Sequence, residues 1–143
     1  MKQIFTFFAA ALLMMLMTNC TTQTSIPDNL RKEWKLVELD GFTKQQFVDN
    51  NAGINLIGTK ENPGKYSANM GCNNMFFSAK FVQGSAIFSE VGSTMMYCDR
   101  GMDLESAFAA ALAKMTNYSV EGHYLTLTAP TGERMKFVAA DWD

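Results

Sequence analysis

The sequence predicts an α+β domain: a compact, mainly antiparallel β-sheet or partly closed barrel with one main amphipathic helix packed on it. Three observations predict it. Short runs of strand-like alternation recur along the chain, turn dipeptides separate them, and one stretch near residues 99–115 switches to helical spacing.

The leader is set apart first. Lys2 gives a positive start, Ile4 to Met17 is apolar except for Thr6, and Thr18-Asn19-Cys20 turns polar, the layout of a secretory signal peptide. The apolar run is shorter than the ~20 residues of a membrane-spanning helix. Residues 1–19 are therefore read as a signal peptide, 20–30 as a tether and 31–143 as the folded domain. Leu16-Met17-Thr18-Asn19-Cys20 resembles a lipobox, with Met17 and Asn19 as departures from its pattern, which makes Cys20 the candidate lipidation site. The polar run Thr21 to Ser25 suits a tether above a membrane surface. The competing expectation is a soluble secreted protein with a spare thiol, a liability in an oxidising compartment.

Within the domain, Trp34 to Leu39 reads as a first strand ending at the turn Asp40-Gly41. Ile54 to Ile57 is a second, and Asn62-Pro63-Gly64 punctuates the way to Lys65 to Ala68. Phe76 to Val82 and Ser85 to Val91 flank a turn at Gln83-Gly84. Tyr118 to Val120, Tyr124 to Thr128 and Met135 to Val138 alternate around Gly122-His123 and Thr131-Gly132. An antiparallel meander is the sum. The helix is predicted over about Asp99 to Met115, where Leu104, Phe108, Ala111, Leu112 and Met115 share one face and several alanines favour helix. Asp99 or Asp103 is the expected cap, and Lys114 suits the negative C-terminal end.

Charge narrows the partners. Without Lys2 the chain carries 11 basic against 14 acidic residues, a charge of −3, with no basic block. That argues against nucleic acid and against electrostatic membrane binding, so membrane attachment is expected through lipid on Cys20. A monomer is expected. Directly after the lipidated cysteine of such leaders an aspartate can retain the protein at the inner membrane; Thr21 stands there, which favours the outer membrane.

Export also bears on Cys72 and Cys98, which can pair stably in an oxidising compartment. Closing that loop stabilises a fold by roughly 3–4 kcal/mol on the chain-entropy account. The alternative is a metal or thiol site. Zinc would have to use Cys72, Cys98, the single His123 and a carboxylate, without the close paired spacing of zinc motifs. A Cys-His hydrolase would need a reduced Cys72 or Cys98 beside His123, which sits between strand-like runs as a turn residue does. Met95, Met96, Met102 and Cys98 suggest a soft copper site, against which flexible core filling is the plainer role for the seven methionines outside the leader. No cofactor and no catalytic set is expected.

Several segments together carry a resemblance: Trp34-Lys35-Leu36, Gly71-Cys72-Asn73-Asn74-Met75-Phe76, Ser93-Thr94 followed by Met96 and Cys98, Glu105-Ser106-Ala107-Phe108 and Leu125-Thr126-Leu127. The chain from about Arg31 to Val138 resembles the META domain family of HslJ-like bacterial lipoproteins. The resemblance implies a β-rich domain with a helix, exported and often lipid-anchored, associated with heat or envelope stress and with novobiocin resistance; it carries no catalytic residues over. Physically, Gly71 permits a positive φ or close approach before the half-cystine, and Asn73 and Thr94 can bond backbone to hold their turns. A staple joining a strand-end loop to the helix start accounts for these residues. A binding site, if built here, would use Asn73, Asn74, Thr94 and Tyr97. The expectation is a non-enzymatic envelope lipoprotein that binds some envelope component, with an inhibitor that blocks an enzyme through exposed loops as the alternative.

Overall fold

Eight strands follow one another in chain order around a closed antiparallel barrel. They are β1 (Glu33–Leu39), β2 (Gly53–Asn55), β3 (Lys65–Asn69), β4 (Asn74–Val82), β5 (Ser85–Ser93), β6 (Asn117–Glu121), β7 (Tyr124–Thr128) and β8 (Arg134–Ala139). The computed structural model describes residues 26–142. The signal peptide, Cys20 and the first part of the tether lie outside these residues. No helix among the described residues is long and apolar enough to cross a membrane.

Closure comes from β8 pairing with β1, from Trp34↔Ala139 to Leu39↔Met135. The sheet is therefore a full ring, where the sequence left open sheet or partial barrel. Its longest seam is the β4–β5 hairpin, which carries a bulge between Phe76 and Ser78 and is turned by Gln83 and Gly84, both at positive φ. Its thinnest is β5–β6, with the single register pair Ser85↔Asn117 and flanking backbone bonds Ala86 N to Thr116 O (2.9 Å) and Tyr118 N to Gly84 O (2.8 Å). The connection across that seam carries the main helix, Met102–Leu112.

Alternation sorts the barrel wall. Trp34, Leu36, Ile54, Ala68, Met75, Phe77, Leu125, Leu127, Met135 and Phe137 are buried in one core, while their strand neighbours face out. Phe81 sits edge-on to Phe88 and Tyr118, ring centroids 5.8 and 5.3 Å away, so side chains from β4, β5 and β6 pack together beside the sparsely paired β5–β6 seam.

Two helices complete the fold. The first, α1 (Lys44–Asp49), has no counterpart in the sequence reading. Thr43 and Gln46 form a capping box: Thr43 N–H donates to Gln46 Oε1 at 2.8 Å, and the Thr43 hydroxyl accepts from Gln46 N–H at 3.4 Å. Phe47 is its one buried residue. The second, α2 (Met102–Leu112), lies inside the predicted span and buries Leu104, Phe108 and Leu112 as expected. Its cap differs. Neither Asp99 nor Asp103 caps it; Gly101, at φ +89°, occupies the N-cap with no side-chain bond, and Asp103 lies inside the first turn, where the helix dipole favours it. Lys114 lies just past the C-cap and pairs with Glu133 at 2.9 Å.

The start of the domain also moves. Ile26 and Leu30 are buried, and Trp34 Nε1–H donates to Leu30 O at 3.0 Å, so residues 26–30 pack with the barrel although the sequence placed them in the tether.

Candidate functional site

Strand direction places the motifs. Neighbours alternate around the ring, so β1 and β5 run the same way, and the start of β1 and the end of β5 lie at opposite ends of the barrel. The β3–β4 loop with Cys72, the segment after β5 and the start of α2 therefore gather at the end remote from where the chain arrives. Cys72 and Cys98 are joined there in a disulfide, their Cα atoms 5.9 Å apart. Neither thiol is available as a nucleophile or a copper ligand in this state.

Gly71, just before the half-cystine, has φ +108°, and a Cβ on it would run into the Asn50 side chain. Both reasons offered for a glycine at this position apply. Gly101 abuts the same spot: a Cβ there would lie 3.1 Å from the Gly71 carbonyl carbon and 3.2 Å from Asn50 Oδ1. Close approach of these two glycines lets the strand-end loop and the helix start meet.

Asn73 is the hub. It is buried, and every polar position of its side chain is engaged. The amide donates to Glu105 Oε1 at 3.0 Å and to Met96 O at 3.2 Å. Its carbonyl oxygen accepts from the Thr94 hydroxyl at 2.9 Å and from Met96 N–H at 2.8 Å. The Asn73 backbone N–H donates to Glu105 Oε2 at 2.8 Å. Thr94 in turn accepts from Asn74 N–H at 3.2 Å and donates its own N–H to Asn74 O at 3.1 Å. Strand β4, the segment after β5 and α2 are thus tied through one side chain. Three of the four candidate binding residues belong to this bracing, Asn73 and Thr94 by side chain and Asn74 by backbone. Asn73 in particular is corrected as a ligand-facing group, because its side chain points inward and is already saturated.

Glu105 is the residue that sequence reasoning missed. Its buried carboxylate receives two donors from Asn73 on the apolar side of α2. The signal was present: Glu105 precedes Phe108 by three positions and Leu112 by seven, which places a charge on the buried face.

What the bracing leaves outside is apolar. Met95 is 99% exposed, Met96 56% and Tyr97 84%, although Met96 has both its backbone N–H and C=O fixed by Asn73. Met95, Met96 and Met102 are therefore not core fillers; Met70, Met75, Met115 and Met135 are. Beside this knuckle a cleft of about 510 Å³ lies between α1 and α2, lined by Gln46, Asp49, Asn50, Asp99, Arg100 and Asp103 among others. Among the described residues no group of three or more His, Cys, Asp or Glu side chains is placed to hold a metal. His123 lies at the far end of the barrel in the Gly122-His123 turn, its ring stacked on Trp142 at 4.6 Å.

A closed eight-stranded antiparallel barrel, pinned at one end by a cystine and a buried Asn–Glu pair, defines the class. The chain belongs to the META domain family, whose family model matches residues 28–142. Its fold is similar to that of a protein from Burkholderia xenovorans solved by NMR, with TM-score 0.61, 20% identity, and 78% of this chain and 83% of that one covered. It is also similar to a DUF4847 family protein from Bacteroides vulgatus, in a crystal structure, with TM-score 0.55, 9% identity, and 81% and 97% covered. At these identities the likeness is one of fold. The search among curated proteins finds no match.

Proposed function

We propose that this chain is a non-enzymatic, HslJ-like lipoprotein of the bacterial envelope, held at the outer membrane by lipid on Cys20, which binds an envelope component under heat or envelope stress and contributes to novobiocin tolerance. One observation carries the binding part of the reading: the exposed, apolar Met95-Met96-Tyr97 knuckle is fixed at the Met96 backbone by Asn73 and bounded by the Cys72–Cys98 bridge, at the end of the barrel remote from where the chain enters β1. A binding surface with few conformations to lose on association gains affinity from that preorganisation. The pairing of both domain cysteines supports a role without thiol chemistry.

The test replaces Met95, Met96 and Tyr97 together by serine in the full-length chain and follows survival in novobiocin and after heat shock, beside a gene deletion and Cys20→Ala. The proposal expects the knuckle variant to accumulate normally yet fail to complement, as Cys20→Ala does. Full complementation by the knuckle variant would refute a binding role for it. Intact mass of mature protein purified from membranes tests the lipid itself.

A second reading draws on the same stiffness. A disulfide-braced apolar loop suits insertion into a concave active site, as an inhibitor of an enzyme such as a lysozyme or protease would require. Failure to capture any such enzyme from host fluid would count against it.

A further inference from the structure

The chain arrives at the barrel beside its own C-terminal segment. Ala140 N–H donates to Glu33 O at 2.9 Å, and Lys32 Nζ pairs with Asp141 at 3.3 Å. Strand β8 runs opposite to β1, so its last residue lies at the end where β1 begins. At that same end the β6–β7 turn holds His123 flat against Trp142, with ring centroids 4.6 Å apart and planes 9° from parallel. Tyr124 meets Trp142 edge-on at 6.0 Å, and Lys136 Nζ sits 4.3 Å over the Tyr124 ring. Trp142 is 46% exposed and Tyr124 36%.

We propose that His123, Tyr124 and Trp142 form a docking face for the headgroup layer of the bilayer to which the chain is anchored, orienting the barrel so that the Met95-Met96-Tyr97 knuckle faces away from the membrane. The proposal rests on the reading of Cys20 as lipidated. Chain length fixes the neighbourhood: six peptide steps separate Cys20 from Ile26, a reach of at most about 20 Å, and Ile26 is already packed on the barrel. The bilayer therefore lies within about that reach of Ile26, and six and seven residues on, Lys32 and Glu33 contact Asp141 and Ala140 at the end that carries the aromatic face. Tethering at this range gives the face a high effective concentration at the lipid surface, so a weak intrinsic affinity suffices.

The chemistry of the face matches that layer. Trp and Tyr carry an apolar ring and a polar tip, the combination that concentrates both at membrane–water boundaries. Lys136, already over the Tyr124 ring, has an ammonium able to meet a lipid phosphate. The weak net negative charge of the chain leaves the rings, rather than a basic patch, as the source of attraction.

Tryptophan fluorescence of the full, lipidated protein in phosphatidylethanolamine/phosphatidylglycerol vesicles tests this. The chain has two tryptophans, and Trp34 is only 1% exposed, so environmental changes report on Trp142; a Trp142→Phe variant verifies the assignment. The expected result is a blue shift on reconstitution, loss of quenching by aqueous iodide, and new quenching by lipids brominated near the headgroup, all absent from Trp142→Phe. Protein that carries acyl groups by intact mass and stays with the vesicles, yet remains fully quenched by iodide and untouched by brominated lipid, overturns the docking face alone. Protein whose mass carries no acyl group overturns the anchor, and the docking with it.

Discussion

Asn73 and Glu105, 32 positions apart, are matched as donor and acceptor: the Asn73 backbone N–H and side-chain amide give both of their protons on that side to the two oxygens of a buried carboxylate, at 2.8 and 3.0 Å. The pair joins the β3–β4 loop to the first turn of α2. The opposite side of the same amide holds Thr94 and Met96. Asn73, Thr94 and Glu105 thus work as a clamp on three segments of chain, and what the clamp presents is the knuckle at 95–97.

This pairing makes two isosteric substitutions informative. Glu105→Gln keeps shape but replaces one acceptor by a donor, leaving one Asn73 proton without a partner; urea unfolding is expected to register a loss of about 1–3 kcal/mol. Asn73→Asp places a carboxylate oxygen against Glu105 and is expected to cost at least as much at neutral pH, roughly 3 kcal/mol. Protonating either carboxyl relieves that repulsion, so the deficit of Asn73→Asp relative to wild type should shrink as pH falls into the carboxylate range. A deficit that does not change with pH would place the two side chains apart.

The bridge between Cys72 and Cys98 closes a loop of 26 residues in sequence separation. On the chain-entropy account its removal in Cys72→Ser/Cys98→Ser costs about 3–4 kcal/mol. Because Asn73 still fixes Met96, hydrogen exchange at residues 95–98 is expected to rise less in this variant than in Asn73→Ala. A rise confined to the cysteine variant, with Asn73→Ala exchanging as wild type does, would assign the ordering of the knuckle to the cystine alone.

Much of this was legible in sequence because it is local. The span Tyr124–Thr128 follows from alternation between two turns, and the Leu104-Phe108-Leu112 stripe of α2 from helical spacing. Closure of the ring was not legible, because β1 and β8 stand at opposite ends of the domain and nothing in either strand names its partner. The helix α1 was passed over for a different reason. Six residues with only Phe47 buried leave little periodic signal, although Thr43-Lys44-Gln45-Gln46 spells a capping box. Asn73 was placed correctly beside the cystine, but its inward orientation depends on Glu105, a charge that composition alone assigns to solvent.

A carboxylate on the barrel's outer surface gives a pH test independent of the clamp. Glu90, at positive φ beside the β4–β5 bulge, accepts from Lys65 Nζ at 2.7 Å and from the Ser78 hydroxyl. The hydrogen bond from Lys65, then that from Ser78, holds its carboxyl below the usual range. A depressed carboxyl favours the fold above its ordinary titration range, and that contribution is lost as pH falls through the lowered folded value. NMR titration of Glu90 is expected to place its midpoint below that of a free glutamate and to move it upward in Lys65→Met. An unchanged midpoint in that variant would remove Lys65 as the cause.

The clamp is tested most directly by a double-mutant cycle on Asn73→Ala and Glu105→Ala, read by urea unfolding. Two residues that satisfy one another should couple by about 2 kcal/mol, the double variant losing less than the sum of the singles. Additive losses would contradict the account, since they would mean that Asn73 beside the cystine and Glu105 of the helix act without reference to each other.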